Sequence, residues 1–122
     1  MKAKETGDFG EDRAAEYLEN RGYKIAARNY HTRYGEIDIV ACNDQTVCFC
    51  EVKTRKNTKS GTAGEAVNAA KQKKICLAAL EYMQKNGLMD AVVRFDVIEV
   101  YTQGSVSINH IINAFDSSLY NI

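Results

Sequence analysis

Apolar residues return at helical spacing in the first part of the chain. Ala14, Ala15 and Leu18 form one stripe, Asp12, Arg13, Glu16, Glu19 and Asn20 form the opposite face, and Gly22 suits the left-handed position that ends a helix. The spacing predicts a helix over 8–21. Glu11 falls on the apolar stripe, so its carboxylate is expected to point inward, where such a group needs a partner or a cation. The competing explanation is its place in the first turn, where a carboxylate meets the helix dipole favourably.

After Gly22 the period changes to two. Tyr23 to Arg28 predicts a short edge strand and Asn29 to Tyr34 a polar loop. Glu36 to Ala41 and Thr46 to Lys53 both alternate, and Cys42-Asn43-Asp44-Gln45 between them has turn chemistry, which together predict a hairpin. Beyond a basic loop containing Gly61 and Gly64, Asn68 is placed to cap a helix running to about Asn86, with Gly87 after it. The apolar residues of that helix include Ile75, Leu77, Leu80, Tyr82 and Met83, and polar Gln72 shares a stripe with Cys76, Ala79 and Met83. Val92 to Tyr101 predicts a further strand and Val106 to Ile112 another, before a tail containing Phe115. Strands, a helix and more strands imply an α/β fold, a mixed β-sheet flanked by helices. Pattern alone does not order the strands.

Composition sets the scale. The chain has 122 residues, 45% hydrophobic and 26% charged, which fits a single domain spanning 1–122 around one core. Met1 to Thr6 runs straight into a charged segment, and no stretch of about 20 apolar residues occurs, so a cytoplasmic protein without a membrane span is expected. Cys42, Cys48, Cys50 and Cys76 lie in or beside apolar runs without the paired spacing of a zinc site, and are expected to be reduced core residues.

A net charge of zero argues against a general nucleic-acid binder. Its distribution changes the picture. Between Lys53 and Lys74 the basic residues Lys53, Arg55, Lys56, Lys59, Lys71, Lys73 and Lys74 meet only one acid, Glu65, a local balance of +6 that leaves −6 on the rest of the chain. A solvated face is the plain explanation of such a run. The run follows directly on an acidic cluster, which suggests phosphate as an alternative partner.

Strand alternation puts Val47, Phe49, Glu51 and Lys53 on one face, and Glu36, Asp38 and Val40 on one face of the preceding strand. A turn centred on Asn43-Asp44 would set Asp38 diagonal to Glu51, about 7–8 Å away between Cα atoms, and Glu36 directly opposite Glu51. Carboxylates so placed repel unless something offsets them. A hard divalent cation does this while keeping waters that a phosphate can displace, and Lys53 could meet the phosphate or lower the pKa of an attacking water. A surface salt-bridge ladder between Lys53 and Glu51 would explain the same residues without chemistry.

Taken in order, Gly35-Glu36-Ile37-Asp38, Glu51-Val52-Lys53-Thr54-Arg55, Lys71-Gln72-Lys73 and Arg94-Phe95-Asp96-Val97 resemble the YraN-like family of bacterial proteins. That family is similar to archaeal Holliday-junction resolvases and belongs to the PD-(D/E)xK nuclease-like superfamily. The resemblance runs from Gly10-Glu11 to Asn113-Ala114-Phe115 and implies a restriction-endonuclease-like fold. It further implies Asp38 and Glu51 as metal ligands, Lys53 as the motif lysine, Glu11 as a third carboxylate and Gln72 as the polar residue of the following helix. Ile37 stands where the superfamily's name has proline. On this reading Mg²⁺ or Mn²⁺ is the cofactor and nucleic acid, by preference DNA, the partner. Arg55, Lys56, Lys59, Lys71, Lys73 and Lys74 would contact phosphates, and a homodimer would suit a two-fold branched junction. The alternative function is a non-catalytic nucleic-acid-binding or adaptor module that keeps the nuclease fold.

Overall fold

A left-handed glycine, Gly22 at φ 89°, separates the first helix from the sheet that follows. The computed structural model describes residues 3–56 and 67–120, with only the backbone course given for residues 3–6. Its elements are α1 (Ala3–Asn20), β1 (Lys24–His31), β2 (Glu36–Asn43), β3 (Thr46–Arg55), α2 (Ala69–Lys85), β4 (Val92–Tyr101) and β5 (Ser107–Phe115), closed by a 3-10 turn at Ser117–Tyr120. The five strands lie in chain order, β1-β2-β3-β4-β5. All neighbours are antiparallel except β3 and β4, and α2 lies in the crossover that a parallel pair requires.

The alternation read from the sequence sorts the core onto two faces. Val47, Phe49, Phe95 and Val97 pack with Ile75, Ala79, Tyr82 and Met83 of α2. Cys48, Cys50, Ile98 and Val100 pack with Ala14, Ala15 and Leu18 of α1. Phe49 is fully buried and meets Tyr82 edge-on at 5.8 Å and Phe95 in a stack at 5.7 Å. Truncating it to alanine should cost about 3–5 kcal/mol. The mixed sheet flanked by helices is thus the expected α/β fold. Among the described residues no helix is long and apolar enough to cross a membrane. Cys48, Cys50 and Cys76 are buried free thiols, and burial pushes those of Cys48 and Cys76 up to about 11, so they stay protonated near neutral pH.

Element ends depart from pattern where side chains far along the chain intervene. The expected loop after Arg28 continues as strand to His31, with Asn29 at φ 52° donating to Glu11 on α1. β5 runs past Ile112 to Phe115, because Asn113 at φ 56° gives its amide to Asp96 and Phe115 stacks on Phe95 at 5.1 Å. The hairpin turn falls on Asp44-Gln45, not Asn43-Asp44, with Asp44 at φ 52°. Aspartate tolerates that left-handed region better than most residues, and the Gln45 carbonyl there accepts the Val92 amide at the start of β4.

One fully buried ion holds α1, β4 and β5 together. Asp96 accepts both Arg94 Nε and Nη2 at 2.9 Å, pairs with His110 Nε2 at 2.7 Å, and takes the Asn113 amide at 3.0 Å. Tyr17 on α1 reaches His110 Nδ1 at 3.1 Å, and Tyr23 accepts from Arg94 at 2.5 Å. Burial disfavours the Asp96 carboxylate, yet His110, Arg94 and the Asn113 amide outweigh it and hold its pKa below the ordinary range.

Candidate functional site

The turn at Asp44-Gln45 shifts the hairpin register. Observed pairs run from Asn43↔Thr46 to Ile39↔Cys50, so continuing the register sets Asp38 opposite Glu51, where a diagonal was expected, and takes Glu36 off Glu51. The ladder stops at Ile39↔Cys50 although both strands continue: β2 stays paired to β1 as far as Glu36, and β3 to β4 as far as Arg55. At this fork the Val52 amide has no ladder carbonyl on β2 and donates to Asp38 Oδ2 at 2.8 Å. A carboxylate fitted there satisfies the backbone and keeps Asp38 beside Glu51.

The first turns of α2 roof the fork. Asn68 caps the helix by accepting the Lys71 amide at 2.9 Å, and Gly35 lets it come close, since a Cβ there would lie 3.3 Å from that of Lys74. The result is a cleft of about 480 Å³ lined by Gly35, Glu36, Asp38, Glu51, Asn68, Ala70, Lys71, Lys74 and Ile75. Glu51 is only 6% exposed, and its Oε1 receives Lys71 Nζ at 2.6 Å and Lys53 Nζ at 3.3 Å.

The charges are unevenly compensated. Burial, then the neighbouring Glu51, pushes the Asp38 carboxyl up to about 7 against the lowering effect of the Val52 amide, with Glu11 and Glu36 adding to the rise. Burial and the nearby Lys71 lower the Lys53 pKa despite Glu51. For Lys71, burial works against the charge, but its bond to Glu51 prevails and its pKa ends above the usual lysine value.

Glu11 points inward as its stripe requires. Gly10 brings α1 against β3 so closely that any Cβ would overlap the Thr54 hydroxyl. The Glu11 carboxylate, however, accepts Arg28 Nε and Asn29 Nδ2, each at 3.0 Å, and does not line the cleft. Gln72 is also outside the lining: its amide donates to the Val67 carbonyl at 2.9 Å and accepts Tyr120 Oη at 2.5 Å, tying α2 to the C-terminal turn. Asp38, Glu51, Lys53 and Lys71 therefore come together, whereas Glu11 and Gln72 belong to the surrounding support.

The basic residues divide similarly. Lys74 lines the cleft, and Lys73 and Lys56 are exposed. Arg55 has its guanidinium against buried Glu99, with Nε 2.7 Å from the carboxylate, which anchors it within the sheet. Lys59 lies outside the described residues. The engagement of Lys71 with Glu51 was missed by sequence reasoning, which assigned Lys71 to phosphate alone. Its one sequence signal is the Asn68 cap, which fixes Lys71 in the first turn of α2.

The donors suit a hard cation in part. Among the described residues no three His, Cys, Asp or Glu side chains group as a metal-binding set, and Glu11, the expected third ligand, is engaged by Arg28 and Asn29. Glu36, Asp38 and Glu51 all line the cleft, with Asp38 and Glu51 at its fork, and Mg²⁺ is commonly held by one or two carboxylates with waters and substrate phosphate completing the shell. The Asp38 carboxyl is raised first by burial and then by the neighbouring Glu51, so a cation bound there would offset part of the cost of ionising it.

The family described as "Uncharacterised protein family UPF0102" matches residues 10–100. A UPF0102 protein of Clostridioides difficile (strain 630) is 49% identical over 115 residues, covering 94% of this chain and 100% of that protein. One from Syntrophomonas wolfei is 44% identical over 113 residues, covering 92% and 98%. Another, from Myxococcus xanthus, is 38% identical over 117 residues, covering 95% and 93%.

Proposed function

We propose that this chain, which belongs to the UPF0102 family of uncharacterised proteins, is a divalent-metal-dependent nuclease that hydrolyses nucleic-acid phosphodiester bonds. The observation that carries the reading is that Asp38 and Glu51 line one cleft at the fork between β2 and β3, together with Lys71 and Lys74. Asp38 and Glu51 would hold Mg²⁺ or Mn²⁺, which when bound supplies a Lewis acid for a phosphoryl oxygen and a water of lowered pKa. Lys53, adjoining Glu51, would orient the nucleophile or stabilise charge developing on the phosphate. Lys56, Lys73 and Lys74 would position the backbone without reading its sequence.

Branched DNA is the substrate class to test first, by analogy with the resolvases to which the superfamily resemblance extends, and a homodimer would match its two-fold symmetry. Labelled four-way, duplex and single-stranded DNA, and RNA, incubated with Mg²⁺ or Mn²⁺ and with EDTA, provide the test. Cleavage that needs the metal and is lost in Asp38→Asn and Glu51→Gln is expected. One observation favours a second reading: Glu51 already has two ammonium partners, as a non-catalytic binding module would allow. Metal-independent binding with no cleavage of any substrate would select that alternative.

A further inference from the structure

We propose that Lys71 is a tethered counter-ion of the cleft, which holds Glu51 in the metal-free protein and yields it to a divalent cation, becoming free to pair with substrate phosphate. This rests on the metal-site reading above. It concerns how the site passes between two states.

Lys71 and Lys53 converge on the same oxygen, Glu51 Oε1, at 2.6 and 3.3 Å. A carboxylate 6% exposed needs positive charge close by, but two ammonium groups on one oxygen repel each other, and a dication in their place would repel both. One of them has to move. Lys53 is on β3, two residues from Glu51 on the same face, with its backbone in register with Glu99 of β4 and its side chain 26% exposed. Lys71 projects from α2 into the mouth of the cleft and is 41% exposed, so a rotamer change alone carries its ammonium outward. Its backbone stays fixed meanwhile by the Asn68 cap. A single, partly exposed ion pair is weak enough to be displaced by a doubly charged ion. Metal and Lys71 thus compete for Glu51, and metal and phosphate cooperate through Lys71.

Titration calorimetry of metal-free protein with Mn²⁺ tests this without any activity readout. Lys71→Met keeps the aliphatic stem and removes the competitor, so it should bind Mn²⁺ about two- to fivefold more tightly than wild type, the worth of a partly exposed ion pair. Lys71→Arg, which keeps the charge, and Lys85→Met, on an exposed residue at the far end of α2, should match wild type. Circular dichroism melts of each variant establish that it is folded. Equal or weaker Mn²⁺ binding by folded Lys71→Met overturns the counter-ion proposal while leaving the metal site standing. Absence of Mn²⁺ binding in wild type and every variant overturns both.

Discussion

Asp96 on β4 and Asp38 on β2 are separated by a single strand and face opposite sides of the sheet, yet their charge states are set in opposite directions. Asp96 is completely buried and still ionises more readily than a free aspartate, because Arg94, His110 and the Asn113 amide all donate to it or pair with it. Asp38 lines a cleft and ionises less readily, because burial and then the neighbouring Glu51 disfavour its charge and a single amide, that of Val52, favours it. At Asp96 the partners outweigh burial, whereas at Asp38 the single amide does not. One carboxylate is finished as a structural element, while the other ionises only against burial and the repulsion of Glu51.

The largest expected effect comes from removing the finished one. Asp96→Ala leaves Arg94 and His110 facing each other without their anion, and should cost about 3–5 kcal/mol in urea unfolding. Asp38→Asn in EDTA should instead leave stability unchanged or raise it, since the substituted amide oxygen still accepts the Val52 amide and the repulsion with Glu51 is gone. If both substitutions destabilise alike, the contrast between the two sites collapses.

Stability against pH sharpens the same contrast. Asp38 titrates near 7 in the folded protein and near 4 unfolded, so between these values the native state holds the extra proton. In EDTA its contribution to stability therefore falls as pH rises from about 4 to about 7, by roughly 2–4 kcal/mol in total, and levels off above. Asp96, with its pKa depressed, contributes in the other sense: its stabilisation is present above about pH 4 and is lost as pH falls through the native value. Asp38→Asn should remove the decline between 4 and 7, and millimolar Mg²⁺ should raise the melting temperature of wild type near neutral pH but not of the variant.

The smallest effect compares surfaces. Replacing Lys56 and Lys59 by alanine should weaken binding to all nucleic-acid sequences alike and flatten the slope of log affinity against log salt by about 0.9 for each duplex-DNA phosphate that is no longer neutralised. Filter binding at graded salt measures it, and a slope that does not change removes these two lysines from the interface.

Much of the site was legible in the sequence because periodicity assigns faces. Alternation put Asp38, Phe49, Glu51 and Lys53 on one side of the sheet, helical spacing turned Glu11 inward, and Asn68 marked the start of α2. The register was not legible: Asn43-Asp44 and Asp44-Gln45 offer similar local turn chemistry, and contacts beyond the hairpin, such as that of Gln45 with Val92, accompany the one adopted. Arg55, Gln72 and Lys71 illustrate the same limit. Each was assigned by its place in a basic or polar run, and each is held by a residue from a distant part of the chain, respectively Glu99, Tyr120 and Glu51.

By itself, then, the sequence determined which side of α1, β2, β3 and α2 the candidate groups Glu11, Asp38, Glu51, Lys53 and Gln72 occupy, since the periods of helix and strand are local properties of the backbone. The tertiary structure decided which charges meet. Glu11 met Arg28 and Asn29 instead of the cleft, and Lys71 met Glu51, because these pairings depend on how closely α1 and α2 settle on the sheet, a distance governed by packing at Gly10 and Gly35 that no local pattern encodes.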